Sequence, residues 1–255
     1  MSLSDRLRGH ADWARPYAVW LWRFARREAG LVLALAIVAG GLWVFVNVVD
    51  EAMEGDAHAV DRAILLALRT PGDPAQPIGP PWLTVFVKDL TALGSFSILA
   101  VVSLLVAGYL ALSRDWGRIA LIAVSVLGGM ALSQWGKSLF DRPRPDFVAH
   151  LVEVQTASLP SAHAMMAAVV YLTLGVLLAQ VQERRRATAY VLGAAVALTV
   201  AVGASRVFLG VHYPSDVLAG WAFGAAWAMA CWAVARAFAL YRRQRAGGPA
   251  PASGR

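Results

Sequence analysis

Six long apolar stretches are the feature of this sequence that most restricts its fold. They are residues 30–49, 92–112, 119–139, 161–180, 187–204 and 217–238. Each approaches the roughly 20 residues that an α-helix needs to cross the hydrocarbon of a bilayer. Only 15% of all residues are charged, against about 25% in an ordinary soluble domain. The sequence therefore predicts an all-α integral membrane protein, built as a bundle of six transmembrane helices.

The segments around these stretches divide the chain into three parts. Residues 1–29 are rich in arginine and tryptophan, which is typical of a cytoplasmic segment with an interfacial helix. The six-span domain covers residues 30–240 and includes a polar segment, residues 50–90, between the first two spans. Amphipathic Val60–Leu68 predicts a short outer-face helix there, and we expect segment 50–90 to help cover a site. Residues 241–255 are basic and then rich in Gly, Pro, Ala and Ser, which predicts a disordered cytoplasmic tail.

The basic residues predict how the bundle is oriented. Cytoplasmic loops of membrane proteins carry an excess of lysine and arginine, and the loops on one face of this bundle hold most of the 23 basic residues. The opposite face holds Arg62, Arg69, Lys88, Lys137, Arg142, Arg144 and Arg206. We therefore expect a multi-pass protein of a bacterial inner membrane with both termini in the cytoplasm. The net charge of +7 then reports topology and contact with anionic lipids, and not a nucleic-acid partner.

Three polar clusters fall on the predicted outer face. They are residues 137–145 (KSLFDRPRP), 160–163 (PSAH) and 205–216 (SRVFLGVHYPSD). Lys137, Arg144 and Arg206 supply cationic donors, and an arginine fork suits the paired oxygens of a phosphoryl group. Ser161 and the amides after it open a helix, where unsatisfied N–H groups favour an anion. The clusters together indicate a phosphate-binding site on the periplasmic or outer side.

Two histidines within these clusters are available for catalysis. His163 and His212 suit the roles of nucleophile and general acid, because an unperturbed imidazole pKa of about 6.5 makes both feasible near neutral pH. Asp216 follows His212 by four residues, with Pro214 between them. This spacing predicts His212 on a loop and Asp216 in a first helical turn. The carboxylate could accept a hydrogen bond from one ring nitrogen and leave the other free to attack phosphorus.

The three clusters closely resemble the tripartite signature of the type 2 phosphatidic acid phosphatase family, whose superfamily includes vanadium haloperoxidases and bacterial acid phosphatases. The resemblance implies that His212 attacks phosphorus and becomes a phosphohistidine, while Asp216 orients it. It implies that His163 protonates the leaving oxygen and then activates water. It also implies a set of phosphoryl-binding residues, namely Lys137, Arg144, Ser161, Ala162 and Arg206.

Ala162 departs from the family pattern, which usually has glycine at this position. Its backbone N–H is retained and a helical residue has negative φ, so alanine should fit, although its methyl group could narrow the phosphate pocket. Members of the family need no metal. We therefore expect neither a metal nor a cofactor here.

Several alternatives remain open at this stage. The substrate could be undecaprenyl pyrophosphate, phosphatidylglycerol phosphate, phosphatidic acid or a lipid A type lipid, and we favour the first two. A phosphotransferase, or a non-catalytic lipid-binding or transport protein, would use similar cations. Arg142 could contact phosphate directly or face lipid headgroups. The chain could be a monomer or a homodimer, although we expect Gly220 and Gly224 to pack helices within one chain.

Overall fold

The computed structural model describes residues 28–54 and 58–246. Its helices are α1 (Ala29–Glu54), α2 (His58–Ala67), α3 (Pro81–Ala92), α4 (Phe96–Leu112), α5 (Trp116–Phe140), α6 (Ala162–Ala179), α7 (Arg185–Phe208) and α8 (Pro214–Ala246). Strands β1 (Arg69–Thr70) and β2 (Asp73–Pro77) form an antiparallel pair between α2 and α3. Residues 1–27 of the predicted N-terminal segment and residues 247–255 of the predicted tail lie outside the described residues.

The helices confirm the predicted membrane fold. Within the described ranges, five of them (α1, α5, α6, α7 and α8) are long and apolar enough to cross a membrane. A sixth span forms only if α3 and α4 are counted together, with a bend of 48° between them. The stretch expected at residues 92–112 is helix α4, which begins at Phe96, and the structure adds the preceding helix α3 across the bend. The chain breaks because Ser95 caps a new helix, its Oγ accepting a hydrogen bond from Ile98 N at 3.4 Å.

The segment between the first two spans is more ordered than its turn-rich sequence indicated. The predicted short helix is confirmed as α2, and residues 69–77 form a hairpin. Arg69 fixes this hairpin to the bundle, because its buried guanidinium donates hydrogen bonds to Phe208 O at 3.0 Å and Ala149 O at 3.4 Å. Two helices also run past their predicted ends: α1 continues to Glu54 and α8 to Ala246.

Helix α6 lies at the centre of the bundle and packs against α4, α5, α7 and α8. Ala164 and Ala168 are fully buried there, and such small side chains let helices approach closely. The facing residues of α8 are Gly220 and Gly224. A Cβ atom on Gly220 would lie 2.8 Å from Ser161 O, and one on Gly224 would lie 2.9 Å from Ala168 Cβ. This glycine pair therefore packs two helices of one chain, as the sequence analysis favoured.

Candidate active site

The three polar clusters meet at one end of the bundle. Lys137 lies in the last turn of α5, and Arg206 in the last turn of α7. Ser161 is the N-cap of α6, and Asp216 lies in the first turn of α8. The expected helix start after Ser161 and the expected place of Asp216 are both confirmed. Residues that are far apart in sequence thus line one site.

The end of α7 determines where His212 lies. Gly210 has φ +76°, and its N–H donates to Val207 O at 3.0 Å while Val211 N donates to Arg206 O at 3.3 Å. These two bonds define a Schellman motif, which ends a helix with a left-handed residue. A Cβ atom on Gly210 would lie 2.6 Å from Ala149 O, so glycine is required. The motif turns the chain sharply, and His212 follows two residues later.

Lys137 and Arg144 converge on the same loop. Lys137 Nζ donates to Thr156 Oγ1 at 3.1 Å and to Ala157 O at 2.5 Å. The Arg144 guanidinium donates to Thr156 O at 2.7 Å and to Thr156 Oγ1 at 3.3 Å. Burial lowers the pKa of the Arg144 guanidinium below its ordinary value, and the negative charge of Asp216 acts in the opposite direction. Two cationic donors therefore point to a common set of acceptor oxygens.

Arg206 and Ser161 contribute further polar atoms to the site. Arg206 is buried and its Nη1 donates to Thr91 Oγ1 at 3.3 Å. Arg206 Nε and Ser161 Oγ are buried atoms without a hydrogen-bond partner among the described residues. The first intrahelical bond of α6 runs from Met165 N to Ser161 O at 2.9 Å. The amides of residues 162–164, including that of Ala162, precede that bond and are available to an anion.

His163 lies among the same charged residues. Its imidazole interacts electrostatically with Arg206, His212, Lys137 and Arg144. The break between α3 and α4 comes close to it, since a Cβ atom on Gly94 would lie 3.4 Å from His163 Cδ2. The bend between α3 and α4 therefore lies beside this histidine.

His212 is enclosed between a carboxylate and a guanidinium. Its Nδ1 lies 3.5 Å from Asp216 Oδ2, and its Nε2 lies 3.2 Å from Arg144 Nη1. Arginine can only donate, so Nε2 must be the acceptor and the ring proton is assigned to Nδ1, on the side of Asp216. The distance to Asp216 exceeds the about 2.7–3.2 Å of a well-formed N–H···O bond, and such catalytic contacts tighten when substrate binds.

Burial keeps this imidazole uncharged. The His212 side chain is 2% exposed, and the loss of hydration lowers its pKa to about 4, although the nearby negative charge of Asp216 acts in the opposite direction. Arg144 and Arg206 also disfavour a second positive charge there. Near neutral pH, Nε2 is therefore unprotonated, and its lone pair faces Arg144 Nη1.

The two expectations for Arg142 were both wrong. Its side chain is neither aimed at the phosphate-binding cations nor exposed to lipid headgroups. Its guanidinium is buried and donates to Asp216 at 2.6 Å, to Ser215 Oγ at 2.8 Å and to Asp61 at 3.2 Å. Asp61, on the distant helix α2, pairs with this loop arginine, and this explains why the guanidinium is turned into the bundle.

Sequence reasoning missed several residues of the site. Asp61, Thr91 and Thr156 are single polar residues outside the three clusters, and no spacing connected them to the cations they contact. The amphipathic pattern of α2 could have identified Asp61 as an inward-facing charge. His150 also lies outside the three clusters, and its Nε2 lies 2.6 Å from Pro145 O.

The fold and this site define a class: a multi-pass helical membrane protein with two histidines and three cationic side chains gathered at one end of the bundle. Comparisons with known proteins agree. Residues 118–239 match the PAP2 superfamily. The chain is 31% identical to phosphatidylglycerophosphatase B of Bacillus subtilis over 191 residues, which cover 72% of this chain and 87% of that protein.

Two further relatives support the same assignment. The crystal structure of the transmembrane PAP2 type phosphatidylglycerolphosphate phosphatase from Bacillus subtilis superimposes with a TM-score of 0.64 at 26% identity. The match covers 82% of this chain and 96% of that one. The decaprenylphosphoryl-5-phosphoribose phosphatase of Mycobacterium tuberculosis is 42% identical over 92 residues, which are 35% of this chain and 45% of that protein.

The chain belongs to the PAP2 superfamily. It is therefore an enzyme, a phosphoric monoester hydrolase of the PAP2 lipid phosphatase type in a bacterial membrane.

Proposed function

We propose that this enzyme removes a phosphate from a phosphomonoester or pyrophosphate lipid at the outer membrane face, without a metal ion, through a phosphohistidine on His212. The observation that carries the proposal is the environment of that imidazole. Asp216 faces its Nδ1 and Arg144 faces its Nε2. A nucleophile is activated when a second group holds its proton on the far side and a cation holds the electrophile beside its lone pair.

Substrate phosphate binds to the donors that converge in the site. Its oxygens take the place of Thr156 Oγ1 and Ala157 O as acceptors for Lys137 and Arg144. Arg206 Nε, Ser161 Oγ and the first amides of α6 complete the set. These fixed charges stabilise the negative charge that develops on the equatorial oxygens. Three cations thus neutralise the phosphoryl group, which is the reason that we propose a metal-independent reaction.

The reaction then proceeds in two displacements. His212 Nε2 forms a bond to phosphorus as the bond from phosphorus to the lipid oxygen breaks, and His163 donates a proton to that oxygen. In the second step His163 takes a proton from water, the water oxygen attacks phosphorus, and the bond to Nε2 breaks. Inorganic phosphate leaves and both imidazoles regain their starting states.

The distribution of basic residues among the loops supports the orientation that we propose, with both termini in the cytoplasm and the site outside. Single-cysteine variants test this, because Cys231 is the only cysteine of the chain. On a Cys231→Ser background, Glu153→Cys places an exposed thiol at the site end, and Glu183→Cys places one at the opposite end. An impermeant maleimide should label the first in intact cells and the second only after permeabilisation. The reverse pattern would invert the proposed topology.

Phosphatidylglycerol phosphate is the substrate that we favour, because the relative with the longer match is a phosphatidylglycerophosphatase. Undecaprenyl pyrophosphate comes second, since a shorter match is to a phosphatase of a decaprenylphosphoryl lipid. Phosphatidic acid and a lipid A type lipid complete the set to be tested.

A panel of these four lipids tests the proposal. Purified protein in detergent with EDTA should release inorganic phosphate, and His212→Asn should release none. Substrate labelled with ³²P should leave acid-labile label on the wild type and none on His212→Asn. Activity abolished by EDTA, or full activity in His212→Asn, would overturn the mechanism. Insensitivity to vanadate, a mimic of pentacoordinate phosphorus, would also count against it.

A phosphotransferase is the remaining alternative, in which a lipid hydroxyl instead of water accepts the phosphoryl group from His212. The same labelled substrate separates the two reactions in mixed lipid micelles. Label in free phosphate supports hydrolysis, whereas label on a second lipid supports transfer. A purely lipid-binding role has no use for a paired nucleophile and acid, and phosphate release from any lipid of the panel rules it out.

A further inference from the structure

Arg142 is the centre of a buried ion network that joins the segment after α1 to the helix carrying Asp216. Its side chain is 4% exposed, and its Nη1 donates to Asp216 Oδ1 at 2.6 Å while Nη2 donates to Asp61 Oδ2 at 3.2 Å. The guanidinium carbon lies 4.2 Å from the centroid of the Tyr213 ring. Two carboxylates and an aromatic face therefore hold the planar fork in one orientation.

Asp61, on α2, completes this network at the start of α8. Its Oδ1 accepts a hydrogen bond from Ser215 N at 2.9 Å, and its Oδ2 accepts one from Ser215 Oγ. Ser215 is the second residue of α8, so its amide has no acceptor within the helix. Asp61 supplies that acceptor, and its negative charge is favourable at a helix N-terminus. The carboxylate thus fixes both Arg142 and the first turn that carries Asp216.

The network leaves Asp216 with a single orientation. Its Oδ1 is bound by Arg142, and its Oδ2 accepts from Tyr213 N at 2.9 Å and faces His212 Nδ1. The carboxylate is fully buried, so it needs a paired cation to remain charged there. Arg142 provides that charge on the side away from His212, which leaves Oδ2 for the imidazole.

We propose that Arg142 and Asp61 are positioning residues for the nucleophile. Asp61 fixes Arg142, Arg142 fixes Asp216, and Asp216 holds the His212 ring so that Nε2 faces phosphorus. This inference rests on the proposed phosphohistidine route. Among the described residues, neither side chain is hydrogen-bonded to Lys137, Arg144, Arg206 or Ser161. We therefore expect their loss to slow formation of the phosphoenzyme and to leave substrate binding unchanged.

Steady-state kinetics of Asp61→Asn and Arg142→Gln test whether the two residues affect phosphoenzyme formation and not substrate binding. Per folded protein, kcat should fall about 10- to 100-fold in each variant, as is usual when the partner of a reacting group loses its support. KM should stay within about twofold, because the removed side chains orient the attacking histidine and do not hold the substrate phosphate. Single-turnover formation of the ³²P-phosphoenzyme should slow by the same factor as kcat.

Two controls keep a positioning role separate from a structural one. Arg236→Gln removes another ion-paired arginine, one that donates to Glu28 at 2.9 Å about 20 residues along α8 from Asp216, at the opposite end of the bundle. It should lower the unfolding temperature and leave kcat of the folded protein unchanged. Arg142→Lys keeps the charge but not the fork, so its kcat should lie between those of the wild type and Arg142→Gln. It also carries the test if Arg142→Gln does not fold.

The double variant Asp61→Asn/Arg142→Gln tests the order of action. Asp61→Asn should lower kcat less once Arg142 is absent, because only its bonds to Ser215 are then lost, and fully multiplicative effects would overturn the action through Arg142. The inference would be overturned if Asp61→Asn and Arg142→Lys both kept the wild-type kcat, or if only KM rose in them. An inactive His212→Asn variant would leave the proposed function standing in that case. Absence of a phosphoenzyme in the wild type would instead overturn the proposed function.

Discussion

Arg144 Nη1 lies 3.2 Å from His212 Nε2. This contact brings a proposed phosphate-binding cation directly beside the proposed nucleophilic atom. It also determines the tautomer of the imidazole, because a guanidinium cannot accept a hydrogen bond. In the proposed mechanism this loop arginine therefore has two roles: it positions the phosphoryl group and it keeps the attacking lone pair on Nε2.

The protonation of His212 gives the first prediction. Burial lowers the pKa of this imidazole to about 4, so the ring stays neutral as the pH falls through the ordinary histidine value of about 6.5. It should gain its proton, and lose its nucleophilic lone pair, only at about pH 4. The measurement is NMR of the ¹³Cε1-labelled histidines in detergent, with the His212 signal identified by its absence in His212→Asn.

The direction of the His212 pKa shift distinguishes two opposing effects on the imidazole, burial and the charge of Asp216. A His212 midpoint near pH 4, with no change between about pH 8 and 5.5, agrees with an imidazole held neutral by burial. A midpoint at or above about 6.5 would mean that Asp216 outweighs burial, and the nucleophile would then be mostly protonated in mildly acidic solution.

The geometry of Arg144 gives the second prediction. Arg144→Lys retains the positive charge but removes the fork that reaches both the Thr156 loop and His212. We expect kcat to fall about 100-fold or more, which is typical of losing a donor to the transition state. Steady-state phosphate release measures this.

Arg62→Lys is the matched control for that variant. Arg62 is an exposed arginine near the same end of the bundle, with its guanidinium carbon 4.4 Å from the Phe147 ring centroid. Its replacement should leave kcat and KM unchanged. Equal activity of Arg144→Lys and the wild type would show that charge alone is sufficient, and that the fork has no part in catalysis.

The fold was predictable from sequence wherever one local pattern decides the structure. Apolar stretches of membrane-spanning length determine α1, α5, α6, α7 and α8, and an amphipathic pattern determines α2. The pairing of α3 with α4 across a bend was missed, because Lys88 and Asp89 separate α3 from the apolar stretch that begins at residue 92. The hairpin after α2 was missed because its pairing depends on Arg69 reaching carbonyls on distant segments.

The site was predictable to the same extent. His163, His212, Asp216 and the three cations lie in motifs with fixed spacing, so their common location followed from helix order. Arg142 could not be interpreted from sequence, since its orientation depends on Asp61, which precedes it by 81 positions. Contacts between distant single residues leave no spacing pattern to read.

Close packing of α8 on α6 gives the third prediction. A Cβ atom on Gly220 would lie 2.8 Å from Ser161 O and 3.1 Å from Ala164 Cβ, so a methyl group must push the two helices apart. We expect Gly220→Ala to reduce the free energy of unfolding by about 1–3 kcal/mol, and to lower kcat because Ser161 shifts within the site. Tryptophan fluorescence during thermal unfolding gives the first quantity.

Gly193→Ala makes the same chemical change at a helical position on α7 with no neighbouring atom within 4 Å of the added methyl group. It should raise stability slightly, by up to about 1 kcal/mol, because alanine is the better helix former. Equal effects of the two variants would contradict the close approach of α8 to α6.

Ala162 gives the last prediction, which concerns substrate choice. It is the first residue of α6 and follows Ser161, whose unpartnered Oγ is part of the proposed phosphate site. Removing its methyl group should widen the pocket and favour the larger pyrophosphate headgroup. We expect Ala162→Gly to raise kcat/KM for undecaprenyl pyrophosphate relative to phosphatidic acid by roughly 10-fold, the lower end of what one methylene-sized change contributes. Ala179→Gly, at the opposite end of the same helix, should leave that ratio unchanged. An unaltered ratio in Ala162→Gly, with both activities intact, would mean that the methyl group does not line the pocket.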